Sequence, residues 1–357
     1  MVRFVAVFLL ALSLSGTQAV LAQDDGPVKI KVRRILFKAG NQYSVNIPDL
    51  EFHVLLQKNF EVINSSITAD YDFSRKDMGF GMSHAFNFFL VNPGISVDDN
   101  LFFREVFSDS TGIWSRRQSI APFLLHEFSQ NSTIAMNFIF SREWSPKTRE
   151  GADIAHFYDY SMRLVYFYQT GKISDEENTT MTISAERSYR LFRGEYNYFI
   201  LSFDSQFARR INQHLYYRNR LGFDGNVTPQ DSPLFFVGGS NSLAGYEKDE
   251  FWGRRVFTLQ NLLEVKPFPD YELNIKGVKF RQLSLLTELD LGQVRGARKV
   301  VELREQDMNF KLGLGLGFGF TTDLPYMPDT PLYFILASPY DDTNNVKFYA
   351  GFGGWLR

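Results

Sequence analysis

"NFKLGLGLGFGF", running from Asn309 to Phe320, decides the fold. Phe310, Leu312, Leu314, Leu316, Phe318 and Phe320 share one parity, while Asn309, Lys311, Gly313, Gly315, Gly317 and Gly319 share the other. Successive side chains of a strand point to opposite faces. One face of this segment is therefore a wall of large apolar groups and the other is nearly bare backbone. A strand of a soluble sandwich alternates too, but its solvent face carries Thr, Lys and Glu rather than a row of glycines.

The pattern spreads outward from there. At Met78 to Phe88, Met78, Phe80, Met82, Phe86 and Phe88 alternate with Gly79, Gly81, Ser83, Ala85 and Asn87, broken once by His84. Ser132 to Phe140, Ser161 to Tyr168 and Tyr196 to Phe203 follow the same rule, separated by turn-rich stretches such as "NPGISVDDN", "GKISDEEN" and "GNVTPQDS". No segment has a helical period, no low-complexity tract divides the chain, and no window offers the ~18 apolar residues of a spanning helix. The runs number about sixteen, fourteen at the fewest. At about 21 residues per run, that leaves a strand long enough to cross a bilayer and a connection after it.

Composition agrees. Aromatics make up 16% of the 357 residues, with 36 Phe and 17 Tyr, yet mean hydropathy is only −0.20, as expected of strands apolar on one side. Residues 1–22, with Arg3, the apolar run Phe4 to Leu14 and the small-residue site ending at Ala22, read as a secretory signal peptide. The absence of cysteine excludes disulfides, thiolate nucleophiles and thiolate metal sites. A net charge of −2 with both signs dispersed offers no nucleic-acid surface. The expectation is an all-β, transmembrane antiparallel barrel in a bacterial outer membrane, with lipid as its first partner. Residues 46–357 form the barrel, and residues 23–45 are either a periplasmic lead-in or the first strand.

The polar stretch "FFVGGSNSLAGYEKDEFWG", Phe235 to Gly253, is then a long loop between two spanning strands. From about Gln213 onward the chain resembles the C-terminal barrel of the BamA/TamA-like outer-membrane assembly superfamily, also called the bacterial surface antigen family. The resemblance rests on Phe236, Gly238 and Gly239, then Leu243, Ala244, Gly245 and Tyr246. It continues through Glu264 ahead of Pro267, Asp290 and Gly292, the glycine row Gly313 to Gly319, and a final strand with Gly351, Phe352 and Trp355. It implies a loop folded into the lumen, and a role in inserting or exporting outer-membrane components through a weak seam between first and last strands. The partners implied are a client barrel or exported protein. No cofactor is expected.

Two departures stand out. The loop arginine of the family is replaced by Ala244, although the carboxylates it would meet are present: parity puts Glu264, Glu288 and Asp290 on the lumenal face. Lys248, Arg254 and Arg255 are the candidate substitute cations. Second, "VRRILFKAGNQYS", Val32 to Ser44, resembles the start of one periplasmic domain, but strand-like alternation resumes too soon for a whole one. Client capture then needs a separate periplasmic partner. The competing reading is a passive pore, a self-associating barrel or a membrane anchor for such a partner. Enzymatic readings are weaker. The carboxylates read as a lumenal salt-bridge cluster rather than an acid/base pair or metal site. His84 beside Ser83 lacks a third member, and Ser242 lacks the flanking glycines of a nucleophile elbow.

Overall fold

The computed structural model describes residues 29–39, 51–59, 63–72, 77–86, 91–105, 112–144, 156–171, 177–189, 197–227, 235–238, 242–246, 250–275, 278–295, 310–324 and 327–352. The strands of the first half are β1 (Lys29–Ala39), β2 (Glu51–Asn59), β3 (Ile63–Asp72), β4 (Asp77–Phe86), β5 (Asn92–Glu105), β6 (Gly112–Ser129), β7 (Ser132–Trp144), β8 (His156–Thr170) and β9 (Asn178–Ser188). Then follow β10 (Phe199–Asn212), β11 (Leu215–Asn226), the short pair β12 (Phe235–Val237) and β13 (Phe251–Gly253), β14 (Arg255–Ile275), β15 (Val278–Arg295), β16 (Lys311–Leu324), β17 (Met327–Pro339) and β18 (Lys347–Phe352).

Sixteen of these close into an antiparallel barrel, each strand beside its sequence neighbour, with β11 next to β14 and β18 returning to β1. The first strand, Lys29–Ala39, lies in the stretch read as either a lead-in or a strand, so the barrel begins ahead of the expected boundary at residue 46. The signal-peptide segment and Trp355 lie outside the described residues. β12 and β13 pair only with each other and form a hairpin within the connection from β11 to β14.

The two rims differ. Two residues join β6 to β7, β10 to β11, β14 to β15 and β16 to β17, whereas the connections at the opposite rim are longer, the β11 to β14 one longest of all. The start of β1 and the end of β18 lie at the tight-turn rim. Short turns at one rim and long loops at the other are the arrangement of outer-membrane barrels, whose short turns face the periplasm.

Along each strand the faces segregate. Leu314, Leu316 and Phe318 of β16 are exposed on the outside, as are Met136, Phe138 and Phe140 of β7 and Leu285 and Leu289 of β15. Together they make an apolar belt far larger than a water-soluble monomer tolerates. Each Leu or Phe taken from water into hydrocarbon contributes about 1.5–3 kcal/mol. The inner face is buried and largely polar, with Ser141, Asp159, Ser161, Glu186, Gln260, Glu264, Glu288 and Asp290 among its residues. On β16 that face is glycine, which leaves room for the side chains of Glu288 and Ile335 on either side of Gly315.

The belt makes a direct prediction. Leu316 is 67% exposed near the middle of β16, so Leu316→Arg should cost about 2–4 kcal/mol of folding free energy in lipid vesicles. Equilibrium unfolding in such vesicles tests it, and an unchanged midpoint would place this face away from lipid.

Candidate functional site

The β11 to β14 connection folds inward. Its hairpin sets Phe235 opposite Gly253 and Val237 opposite Phe251, and beyond it Leu243, Ala244, Gly245 and Tyr246 are buried against the inner wall. Val237, Leu243, Tyr246, Val256 and Val294 form one apolar cluster, with Phe235 and Phe251 packed on it. Ala244 joins a second with Leu262, Leu286, Tyr333, Ile335, Ala337 and Tyr349.

Backbone groups carry the polar side of this docking. The Ala244 N–H donates to Asp290 Oδ2 at 2.9 Å, and the Gly245 N–H to the Tyr349 hydroxyl at 3.1 Å. That hydroxyl donates in turn to the Tyr246 carbonyl at 3.3 Å. The Tyr246 O–H reaches Asp341 Oδ1 at 2.9 Å, and Lys311 Nζ donates to Asp341 Oδ2 at 2.7 Å. Ser242 closes the loop on itself, its Oγ accepting from the Gly238 N–H at 2.7 Å. Two glycines are obligatory. Gly245 has φ +91°, and a Cβ there would lie 2.3 Å from the Ser338 carbonyl carbon; a Cβ on Gly313 would lie 2.0 Å from the Ala244 oxygen.

Asp290 therefore receives the backbone N–H of Ala244 itself. Glu264, fully buried, accepts from Ser284 Oγ at 2.7 Å and has Arg218 Nη2 and Lys266 Nζ each at 3.8 Å. Its cations thus come from the adjoining strand β11 and from its own strand, not from the loop. Lys266 is further held over the Tyr216 ring at 4.1 Å and by Gln282 Oε1 at 3.2 Å. Gln282 has φ +54°, at a register shift between β15 and β16.

Of the three candidate cations, Arg254 is buried at the foot of the hairpin, where its carbonyl accepts from the Asn226 N–H at 2.8 Å. Arg255 is exposed and outward: Val256, Gln260, Leu262 and Glu264 take the buried face and Leu263 the exposed one. This corrects the expectation for Arg255, because one residue along a strand reverses the face. Lys248 and Gly239 lie outside the described residues. Gly351 and Phe352 sit in the terminal seam, opposite Leu36 and Ile35.

A second polar cluster, not anticipated from the sequence, lines the lumen on β6 to β9. Asp159 accepts from Arg117 Nη2 at 3.2 Å and from Ser188 Oγ. Glu186 accepts from Ser161 Oγ at 2.7 Å and Arg163 Nε at 2.6 Å. The Tyr198 hydroxyl bridges the two acids, 2.6 Å from Asp159 Oδ2 and 2.8 Å from Glu186 Oε1. Glu143 lies 3.7 Å from Arg117. Phe235 of the hairpin packs on Tyr198 and Ile200, so the loop's base touches this cluster too. The signal available in the sequence was one or two charged residues per strand on the inner parity, each too weak alone to read.

No protein-family model and no curated protein matches the sequence. Solved structures do resemble the fold. BamA from Haemophilus ducreyi lacking POTRA domains 1–3 superposes with a TM-score of 0.61 at 10% identity, covering 96% of this chain and 78% of that one. CdiB from Escherichia coli gives 0.59 at 12% identity, over 91% of this chain and 67% of that one. CdiB from Acinetobacter baumannii gives 0.57 at 12%, over 91% and 59%. The chain has the BamA/CdiB type of barrel fold.

Two predictions follow the docking geometry. Gly313→Val drives a side chain into the Ala244 carbonyl, and overpacking of about 1–3 kcal/mol should expose the loop, so that trypsin cuts within it about tenfold faster. Leu314→Val, on the lipid face, should leave cutting unchanged; equal resistance in both variants would sink the docked arrangement. Lys311, with a smaller contribution from the Tyr246 hydroxyl, holds the Asp341 carboxyl below its ordinary value of 3.8, whereas burial raises the Tyr246 hydroxyl. A group depressed in the folded state stabilises above its unfolded pKa and loses that contribution as pH falls through the depressed value. Loop protection from an acid-active protease should therefore weaken below about pH 4 in the native protein and lose this step in Asp341→Asn.

Proposed function

We propose that the chain is an outer-membrane assembly or translocation barrel that works by opening between β1 and β18, offering its strand edges to a client. The observation that carries this is the closure itself. Among the described residues, Ile35 to Ala39 face Phe352 to Phe348 across the seam, whereas β14 and β15 stay paired from Arg255 to Ile275. A short antiparallel junction is the least costly place to part a barrel, and its unpaired N–H and C=O groups can template an incoming strand. The docked loop supports the same reading, because Tyr349, a residue of β18, is hydrogen-bonded to it on both sides. The retained loop, lumenal carboxylates and glycine row match the assembly barrels, and the shared fold with BamA and CdiB is consistent with that role.

The chain has no cysteine, so a seam lock introduces the sole disulfide. Adjacent pairs of an antiparallel ladder alternate between close and wide spacing, and one of Leu36→Cys with Gly351→Cys or Phe37→Cys with Ala350→Cys therefore meets disulfide geometry. The full chain in phospholipid vesicles should speed the folding of an urea-unfolded eight-stranded barrel. The oxidised variant should not, and reductant should restore the effect. Undiminished acceleration with the bridge formed would overturn the seam mechanism. No acceleration by the native protein, with steady single-channel conductance, would make it a passive pore.

A further inference from the structure

Arg255 and Arg295 create an electrostatic conflict on the outer surface. Arg255 is the first residue of β14 and Arg295 the last of β15, and they stand directly opposite one another at the long-loop rim. Directly opposed residues have Cβ atoms about 5 Å apart, and like charges so placed destabilise a sheet. Both side chains are exposed, and among the described residues neither makes a hydrogen bond or ion pair. Leu263, Leu285 and Leu289 on the same faces of these two strands belong to the apolar belt, so the pair stands at its upper margin. Elsewhere on this rim Arg142 of β7 and Arg187 of β9, each close to its strand's end, share the outward faces of Phe140 and Ile183. Arg142 is opposite the exposed Tyr158.

We infer that the Arg255–Arg295 pair binds the phosphomonoester headgroup of an acylated lipid in the outer leaflet. Two guanidinium groups at this spacing need an anion with more than one charge and several acceptor oxygens. A phosphomonoester carries about −1.5 to −2 and three such oxygens, and guanidinium forks match it bidentately. The position selects a lipid over a soluble anion, because acyl chains of the same molecule lie along the belt directly beneath. Basic side chains at a membrane margin are the general means of recognising anionic headgroups. This site is independent of the seam and of the lumenal loop.

The test is thermal unfolding of the full chain in neutral detergent, without divalent cations, followed by tryptophan fluorescence. It is titrated with bis-phosphorylated lipid A, with its dephosphorylated counterpart and with inorganic phosphate. The phosphorylated lipid should raise the unfolding temperature saturably and the other two should not. Arg255→Gln with Arg295→Gln should weaken the apparent affinity about tenfold or more, yet in lipid-free detergent it should unfold no lower than the native protein, since a repulsion has been removed. Equal affinity in the variant, or an equal effect of the dephosphorylated lipid, would overturn the site. A full effect from inorganic phosphate would overturn the lipid as its ligand. A large loss of stability without lipid would show that the arginines serve the fold instead.

Discussion

A backbone that crosses lipid must satisfy every N–H and C=O within the protein, because hydrocarbon supplies no partners. Closure of β1 onto β18 meets that requirement here, and the remaining architecture follows. Closure gives each strand one face toward lipid and one toward an enclosed lumen, so polar side chains can collect only inside. Once inside, charges require partners, and the lumen answers with Glu264 among Ser284, Arg218 and Lys266, and with Asp159 among Arg117, Ser188 and Tyr198. These networks are consequences of the barrel's closure and need no catalytic explanation.

The loop occupies the same lumen under the same rule. With alanine at position 244, the carboxylate of Asp290 is met by a main-chain donor. A hydrogen bond to a charged acceptor contributes about 1.5–3 kcal/mol, and a small residue lets the backbone come close enough to make it. An arginine would grip through a long side chain at a single point. This loop instead spreads its attachment over Asp290, Tyr349 and Asp341 and over the close contact at Gly313. The glycines of β16, which first signalled a barrel strand, also serve as the surface that admits the loop.

Period-two alternation is a local property, and it sufficed to read the two-faced strands, the bare face of β16 and the lumenal parity of Glu264, Glu288 and Asp290. Partners are not local. Arg218 approaches Glu264 because β11 pairs with β14 in a register that sets Tyr216 opposite Glu264, and no pattern within either strand records that register. Arg255 shows the same limit at its sharpest: the hairpin ends at Gly253, one buried residue follows, and the next faces lipid. The cluster on β6 to β9 escaped notice because each strand supplies at most three of its members and only the closed sheet assembles them. The basic run in Lys29–Ala39 left its place open for a related reason, since a strand that exists to pair with the far end of the chain carries little local evidence of doing so.

The loop's attachments are not distributed evenly around the barrel. Asp290, Lys311, Gly313, Asp341 and Tyr349 belong to β15 through β18 and the connection between the last two, all on one side of the seam. The loop thus braces β18 to its neighbours. Parting the seam by displacing β18 would break the Tyr349 bonds and disturb the Ala244 packing, whereas displacing β1 breaks neither.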